Sequence, residues 1–288
     1  MANYISSNAN RFYAAIETTY GQAATATAAN RFPAVQLVAQ QALQQTVRRD
    51  KTGSRTFLGT AADSRRQTAF EARTYLTSWN GTATPGYSPL FQAAMGATPQ
   101  LSTGLVVGSV TTQSQVQTTG AHGLSVGAGV SFSNELRFVT SVPGASSLVL
   151  NAPFSNMLTA GTALSPALTF SLSNALPSLT LFDYWDPSTA VNRLVTGAAA
   201  DTFQFTLNGD FHEFVFRGPA ADLLDTSSFV TGAAGLNAFP AEPSLSSFDY
   251  SVVPGHLGEV LIGSPENQFF TLTSASIEVK NNIDVRNR

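Results

Sequence analysis

TFQFTLNGDFHEFVFR, residues 202–217, is the stretch of the sequence that decides the fold class. Apolar and polar side chains alternate through residues 202–207, which is the period of a β-strand with one buried face. Asn208-Gly209 follows, and this dipeptide favours a tight hairpin turn because both of its positions need a positive φ. Aromatic residues then interrupt the alternation once in the return strand, which predicts a β-bulge or burial on both faces. An antiparallel β-hairpin is expected here.

The same alternation recurs on both sides of this hairpin. Residues 35–46, 70–77 and 276–280 each alternate between apolar and polar side chains, so each is predicted to be a strand. Residues 11–20 fit either a strand or a helix. Residues 88–96 fit a short helix, with Ser88 as the N-cap and Gly96 as the left-handed stop. The chain is therefore predicted to be mainly β with few helical segments.

Residues 101–175 differ in composition from the rest of the chain. They are rich in Gly, Ser, Thr and Val, and Glu135 and Arg137 are the only charged residues between Thr74 and Phe182. The short strand patterns within them predict a small β-module inserted into a larger β-domain made of residues 1–100 and 176–288.

Composition excludes several classes of protein. Only 11% of the residues are charged, where about 25% is typical of soluble domains. There is no cysteine, which excludes disulfides and thiolate sites, and no apolar run is long enough for a transmembrane helix. The first residues show no signal-peptide pattern. A net charge of −3 predicts no general affinity for nucleic acid.

The most unusual patch is basic and lies between two predicted strands. Six of the fifteen basic residues fall within residues 48–66. Nucleic-acid binding, a solvated loop and a charged extension that docks on an acidic neighbour all fit this pattern. Residues 101–288 carry fourteen acidic and six basic groups, which supplies the complementary sign for docking. The residues of this candidate contact loop are Arg48, Arg49, Asp50, Lys51, Arg55, Phe57, Arg65 and Arg66.

Residues that could carry chemistry are sparse. His122, His212 and His256 are each isolated, and none stands in a metal-binding or catalytic spacing. The carboxylate pairs Asp183 with Asp186 and Asp210 with Glu213 lie beside aromatics, as in glycosidases, but they also suit turns. No nucleophile motif or phosphate-binding loop occurs. We therefore expect a protein that is not an enzyme and has no cofactor or metal.

The order of these segments resembles the major tail tube proteins of long-tailed bacteriophages. The resemblance covers nearly the whole chain, with residues 101–175 as an insertion. The segments that carry it are Asn3-Tyr4-Ile5, residues 11–17, Tyr20-Gly21, residues 50–59, residues 70–76 followed by the short helix, residues 122–127 through Pro153-Phe154, residues 179–181, Gly197-Ala198, the Asn208-Gly209 hairpin and residues 277–286.

The resemblance implies a fold and a function. The fold would be an antiparallel β-sandwich or partial barrel with a flanking helix, and the inserted module would lie on the exterior of a tube. Six subunits would join edge to edge into a ring, and stacked rings would form the conduit for DNA ejection. The partners would be further copies, a tape-measure protein, tail-tip or baseplate proteins and a tail-terminator protein, within a virion tail made in the bacterial cytoplasm.

The resemblance also implies where copies would meet. The basic loop would contact a neighbouring subunit or ring rather than DNA, and an N-terminal arm with Asn3, Tyr4 and Ile5 would reach another copy. No membrane insertion is expected. The alternative from a different class is a non-catalytic carbohydrate-binding or adhesin-type β-sandwich, which exposed aromatics in residues 101–175 would favour.

Overall fold

The computed structural model describes residues 6, 8–46, 53, 62–79, 81–186, 190–207, 210–244, 251–257, 261–262, 267–268 and 274–284. Within these residues the protein is mainly β, every paired strand is antiparallel, and one α-helix is present. This confirms the predicted fold class at the level of antiparallel sheets with a single helix.

The elements are joined by connections that range from a single residue to more than thirty residues. In chain order the elements are β1 (Asn10–Ile16), β2 (Arg31–Phe32), β3 (Ala34–Thr46), β4 (Ala62–Tyr75), α1 (Ser88–Met95), β5 (Gln100–Ser102), β6 (Val107–Thr112), β7 (Gln115–Thr118), β8 (Gly129–Phe132), β9 (Glu135–Gly144), β10 (Ser147–Leu150), β11 (Ala167–Thr169), β12 (Leu179–Trp185), β13 (Arg193–Ala198), β14 (Thr202–Leu207), β15 (Glu213–Ala220), β16 (Asp222–Asp225), β17 (Leu261–Ile262), β18 (Asn267–Gln268) and β19 (Ala275–Lys280).

Two five-stranded sheets form the larger part of the fold. The first has the order β16-β13-β12-β1-β2, and the second has the order β19-β14-β15-β4-β3. The chain passes between them at Pro33 between β2 and β3, at residues 199–201 between β13 and β14, and at Ala221 between β15 and β16. Their inner faces meet in one hydrophobic core, so we refer to this part as the sandwich.

Helix α1 closes the sandwich core with an aromatic side chain. Phe91 lies 4.7 Å from the ring of Phe170, 4.8 Å from Phe214 and 5.3 Å from Phe216, measured between centroids. The helix ends at Gly96, whose φ of 97° is the left-handed stop that the sequence predicted. Its N-cap is Tyr87 rather than Ser88, so the predicted cap was wrong by one residue.

A third five-stranded sheet belongs to the region predicted as an insertion. Its order is β6-β7-β10-β9-β8, and it packs around a separate cluster of buried side chains. We call residues 105–164 the second core region. The members of that cluster are Val107, Val116, Leu124, Ala128, Val130, Val139, Leu148, Leu150, Phe154, Leu158 and Leu164.

Strand pairing shows which structure is formed by two segments that the sequence left open. Residues 10–16 form a strand because β1 pairs along its whole length with β12, from Asn10 opposite Trp185 to Ile16 opposite Leu179. The return strand of the hairpin is β15, and its pairing with β14 is continuous. Phe214, Val215 and Phe216 are all buried, so the broken alternation reflects burial on both faces rather than a bulge.

Candidate assembly surface

The longest hairpin of the protein carries the candidate surface. β3 and β4 pair from Ala34 opposite Thr74 to Thr46 opposite Ala62. The residues that follow Thr46 and precede Ala62 include most of the basic patch, so that patch connects the far ends of the two paired strands. Thr46 and Ala62, the two residues to which this connection is attached, therefore lie together at one end of the second sheet.

Most of the predicted contact residues lie outside the described residues. These are Arg48, Arg49, Asp50, Lys51, Arg55 and Phe57, together with Asn3, Tyr4 and Ile5 of the N-terminal arm. Arg65 lies in β4 opposite Gln44. Arg66 is exposed, and its Nη1 lies 3.8 Å from Oδ1 of Asp222. The role of all these residues in assembly stays a prediction.

β3 is an unguarded edge strand. No described strand pairs with its outer side, and its sequence AVQLVAQQALQQT contains no charged residue and no proline. Its register with β4 is unbroken from Gln36 to Gln44, and irregularities occur only near its two ends, between Ala34 and Gln36 and between Gln44 and Gln45. Val35 and Leu43 remain 48% and 51% exposed. Natural sheets usually block such edges with charges, prolines, bulges or short strands, so this edge is suited to pairing with another chain.

The opposite edge of the same sheet is shorter and charged. β19 has six residues and pairs with β14 through its whole length, from Lys280 opposite Thr202 to Ala275 opposite Leu207. Nζ of Lys280 lies 3.1 Å from a carboxylate oxygen of Glu278, and Ile277 is 45% exposed. The sheet therefore has two dissimilar edges.

The middle of the second sheet carries a charged network on one face. Oε1 of Glu71 accepts from Nε of Arg73, and Oε2 accepts from Nε of Arg217, both at 2.7 Å. The hydrogen bond from Arg217, followed by that from Arg73, lowers the pKa of Glu71. Arg73 Nη1 also lies 3.6 Å from Oε1 of Glu213. This network links the side chains of Arg73, Arg217 and Glu213 through Glu71 and Arg73.

An open cavity lies at the end of the second sheet where β4 ends at Tyr75. This is the end opposite Ala62, where the basic segment is attached. The volume of the cavity is about 360 Å³. The rings of Tyr75 and Phe211 stand 5.8 Å apart with an interplanar angle of 59°. Asp210 and Glu213 supply carboxylates. The described residues that line the cavity are Tyr75, Thr206, Asp210, Phe211, Glu213 and Val215.

The sequence indicated only part of the lining of this acidic aromatic cavity. Asp210 and Glu213 stood out as a carboxylate pair beside aromatics, whereas Tyr75 lies more than 130 positions away. The register of β4 with β15 places Tyr75 directly opposite Glu213. Tyr75 and Glu213 meet only because β4 and β15 are neighbours in the sheet. In the sequence, the one signal for Tyr75 was its place near the polar end of a predicted strand.

Three other residues that the sequence singled out, His122, His212 and Asp183, are buried within the fold. Leu124 N donates to Nδ1 of His122 at 2.9 Å, and His122 Nε2 lies 3.1 Å from the carbonyl of Gly144. His212 is buried, and burial lowers its pKa. Asp183 is buried in the sandwich, apart from Asp210 and Glu213. Across the described ranges no three His, Asp or Glu side chains are grouped as metal ligands would be.

Several motifs of the family resemblance converge on one buried carboxylate. Oε1 of Glu17 accepts from Oγ1 of Thr180 and from N of Gly197, both at 2.8 Å. Oε2 accepts from N of Gly21 at 2.9 Å and from Oγ of Ser178 at 2.7 Å. Gly197 has a φ of +60°, and a Cβ there would lie 2.5 Å from that of Ala221. Glu17 thus joins β1, β12 and β13.

A second carboxylate ties the late segment to the outer face of the first sheet. Glu242 accepts from Nη2 of Arg11 at 2.6 Å and from the hydroxyl of Tyr13 at 2.9 Å. Burial raises the pKa of Glu242, but the hydrogen bonds from Arg11 and Tyr13 outweigh burial and lower it overall. This contact holds the late segment against the outer face of the first sheet, where Leu236 and Phe239 also pack.

Comparison with known proteins adds no family. No family model matches the chain, and no curated protein matches it. In the part of the chain that the structure describes, no helix has the length and apolar character needed to span a membrane.

Proposed function

We propose that this protein is a structural subunit that assembles with copies of itself through the edges of its second sheet. The observation that carries the proposal is the thirteen-residue, charge-free edge strand β3. The form of the assembly follows the resemblance to phage tail tube proteins: six-membered rings stacked into a tube that conducts DNA from a virion into a bacterium. In this proposal the chain catalyses no reaction.

Edge pairing explains why β3 carries no charge. An unpaired edge exposes backbone N–H and C=O groups that bind another strand readily. If β3 of one copy pairs beside β19 of the next, the second sheet continues from copy to copy. The two edges differ, so this contact is heterologous, and a heterologous contact closes into a ring when its rotation permits. The scarcity of charge elsewhere suits a surface that is covered by other copies.

The charge balance fits a conduit rather than a DNA-binding protein. Tight binding to DNA requires many Lys and Arg contacts with phosphates, and the chain has a net charge of −3. A DNA conduit functions only if the DNA passes without being held. The tape-measure, tail-tip or baseplate, and terminator partners belong to the same proposal, as does the virion location.

The test adds charge to the β3 edge. The full chain carrying Gln40→Lys with Leu43→Lys is compared with wild type by negative-stain microscopy and sedimentation. Both positions are exposed, so the fold is retained, which circular dichroism checks. We expect rings or tubes from wild type and dispersed subunits from the variant. Gln117→Lys, at an exposed site in the inner strand β7, is the matched control and assembles normally.

Two outcomes would overturn the proposal. Wild type that stays dispersed at high protein concentration would remove self-assembly. Normal rings or tubes from the Gln40→Lys, Leu43→Lys variant would show that the β3 edge does not mediate it.

A further inference from the structure

The acidic aromatic cavity at the end of the second sheet has the chemistry of a cation site. Tyr75 and Phe211 present two tilted rings, and Phe211 is 48% exposed. Aromatic faces attract Lys and Arg groups within about 6 Å of the ring centroid. Asp210 and Glu213 on the same lining can accept charge-assisted hydrogen bonds from such a group.

The neighbourhood already holds one guanidinium against this lining. Nη1 of Arg73 lies 3.6 Å from Oε1 of Glu213, while Nε of Arg73 is held by Glu71. Glu213 is therefore positioned to interact with arginine-type donors. The volume of about 360 Å³ is large enough for a long basic side chain.

The cavity and the basic segment lie at opposite ends of the same strand. Tyr75 is the last residue of β4, and Ala62, next to the basic segment, is the first. Thirteen steps along an antiparallel strand span about 43 Å at about 3.3 Å per residue. The basic segment is attached at the end of the sheet that is remote from the cavity of the same molecule. A second copy placed end to end would therefore bring its basic segment to this cavity.

We propose that this cavity receives a Lys or Arg side chain from residues 48–55 of a second copy. The inference rests on the proposed self-assembly and names the contact that stacks one copy on the next along the strand direction. Residues 47–61 carry four basic groups and one acidic group, and the described lining of the cavity carries two carboxylates, one of which also contacts Arg73. Charge complementarity of this kind fixes partner and register.

The first experiment measures binding of a single labelled peptide. A fluorescent peptide with the sequence of residues 47–61 is titrated into the full chain carrying Gln40→Lys with Leu43→Lys, and anisotropy is followed. That background keeps the subunits dispersed and their cavities free, and wild type serves directly if it is itself dispersed. The readout is therefore independent of ring formation, so failure of this inference and failure of the proposed assembly are distinguishable.

We expect Asp210→Asn with Glu213→Gln to weaken peptide binding at least tenfold, and Phe211→Leu to weaken it severalfold. Glu278→Gln removes one exposed carboxylate elsewhere on the same sheet and is the matched control, with binding unchanged. A peptide in which the four basic residues are Ser should not bind. Equal binding to the Asp210→Asn, Glu213→Gln protein, or no binding of the native peptide at millimolar concentration, would overturn the inference. So would a neutral oligosaccharide that occupies the cavity and displaces the peptide.

A second experiment uses charge reversal in the assembled protein. Asp210→Lys with Glu213→Lys should abolish tubes while leaving the fold intact. Adding Lys51→Glu with Arg55→Glu should restore them, because the attraction is re-created with opposite signs. Absence of rescue in the combined variant, when each pair alone disrupts the tubes, would contradict direct contact.

Discussion

The sandwich and the second core region reach stability by different means. The sandwich core is built on aromatic rings, with Phe91 in contact with the rings of Phe203, Phe214 and Phe216. It also encloses titratable groups such as Glu17 and Asp183. The second core region is mostly aliphatic, with one close aromatic pair. Its titratable residues are His122, Glu135 and Arg137 alone.

The two kinds of core constrain the geometry of their strands differently. Buried polar groups fix particular strands and turns, as Glu17 does for β1, β12 and β13. Aliphatic contacts are not directional, so an aliphatic core specifies geometry only through the fit of side-chain shapes. The sandwich, which carries the open edges, is thus held in one geometry. The second core region holds few titratable groups; Glu135 is one of them, and its hydrogen bonds with Ser155 lower its pKa.

The largest expected effect is loss of the central ring of the sandwich. Phe91→Ala removes a buried side chain that touches several aromatic rings, so we expect the free energy of unfolding to fall by about 4 kcal/mol. Urea denaturation measures this. Val230→Ala, at an exposed site, is the control and should change the free energy by less than about 0.5 kcal/mol. A loss under about 1 kcal/mol for Phe91→Ala would contradict the role of this cluster.

The next effect tests whether the second core region is energetically separate. Leu148 is buried in β10, and Leu148→Ala should cost about 3 kcal/mol locally. Amide hydrogen exchange should accelerate in β7 and β10 and stay slow in β12 and β13. Equal acceleration in all four strands would show that the two regions unfold as one unit and would remove the comparison.

The smallest effect concerns the buried carboxylate of Asp183. Burial raises its pKa, and the hydrogen bond with Trp185 and the charge of Arg193 offset this only partly. Oδ1 has no hydrogen-bond partner among the described residues. The raised pKa favours folding below the ordinary value of 3.8, and this contribution is lost as pH rises through the folded-state pKa. Asp183→Asn should therefore stabilise the protein at pH 7, on the order of 1 kcal/mol.

Asp225 provides the control of opposite sign. Its Oδ1 accepts hydrogen bonds from Ser227 and Ser228, which lower its pKa. The stability it contributes is present above pH 3.8 and is lost as pH falls through the lowered pKa. Asp225→Asn should thus destabilise at pH 7. Urea midpoints between pH 4 and pH 7 compare the two variants, and a destabilising Asp183→Asn would refute the assignment.

Much of the fold could be predicted from local patterns. Alternation identified β3, β14, β19 and the second part of β4, because a half-buried strand repeats every two residues. The stop of α1 was visible in Gly96, since glycine alone adopts its positive φ without strain. The N-cap was misplaced because Ser88 is buried within the helix and Tyr87 occupies the cap. Residues 10–16 could not be assigned, since their state depends on pairing with β12.

The candidate surface was predictable in part for the same reason. The basic patch is a feature of local sequence, and so is the absence of charge in β3. The acidic aromatic cavity is not, because Tyr75 meets Glu213 through strand register rather than proximity in the chain. Whether β3 is an edge or an inner strand is likewise a property of sheet order.

The sequence by itself determined the strand-rich class, the concentration of basic charge near residue 50 and the uncharged stretch in the middle of the chain. These depend on side-chain type and on periods of a few residues. Tertiary structure alone decided that β3 lies at an open edge, that the acidic aromatic cavity lies at the end of β4 opposite Ala62, and that Glu17 joins three strands. Each of these results from long-range pairing, and pairing depends on the combined burial and hydrogen bonding of segments that are distant in the chain.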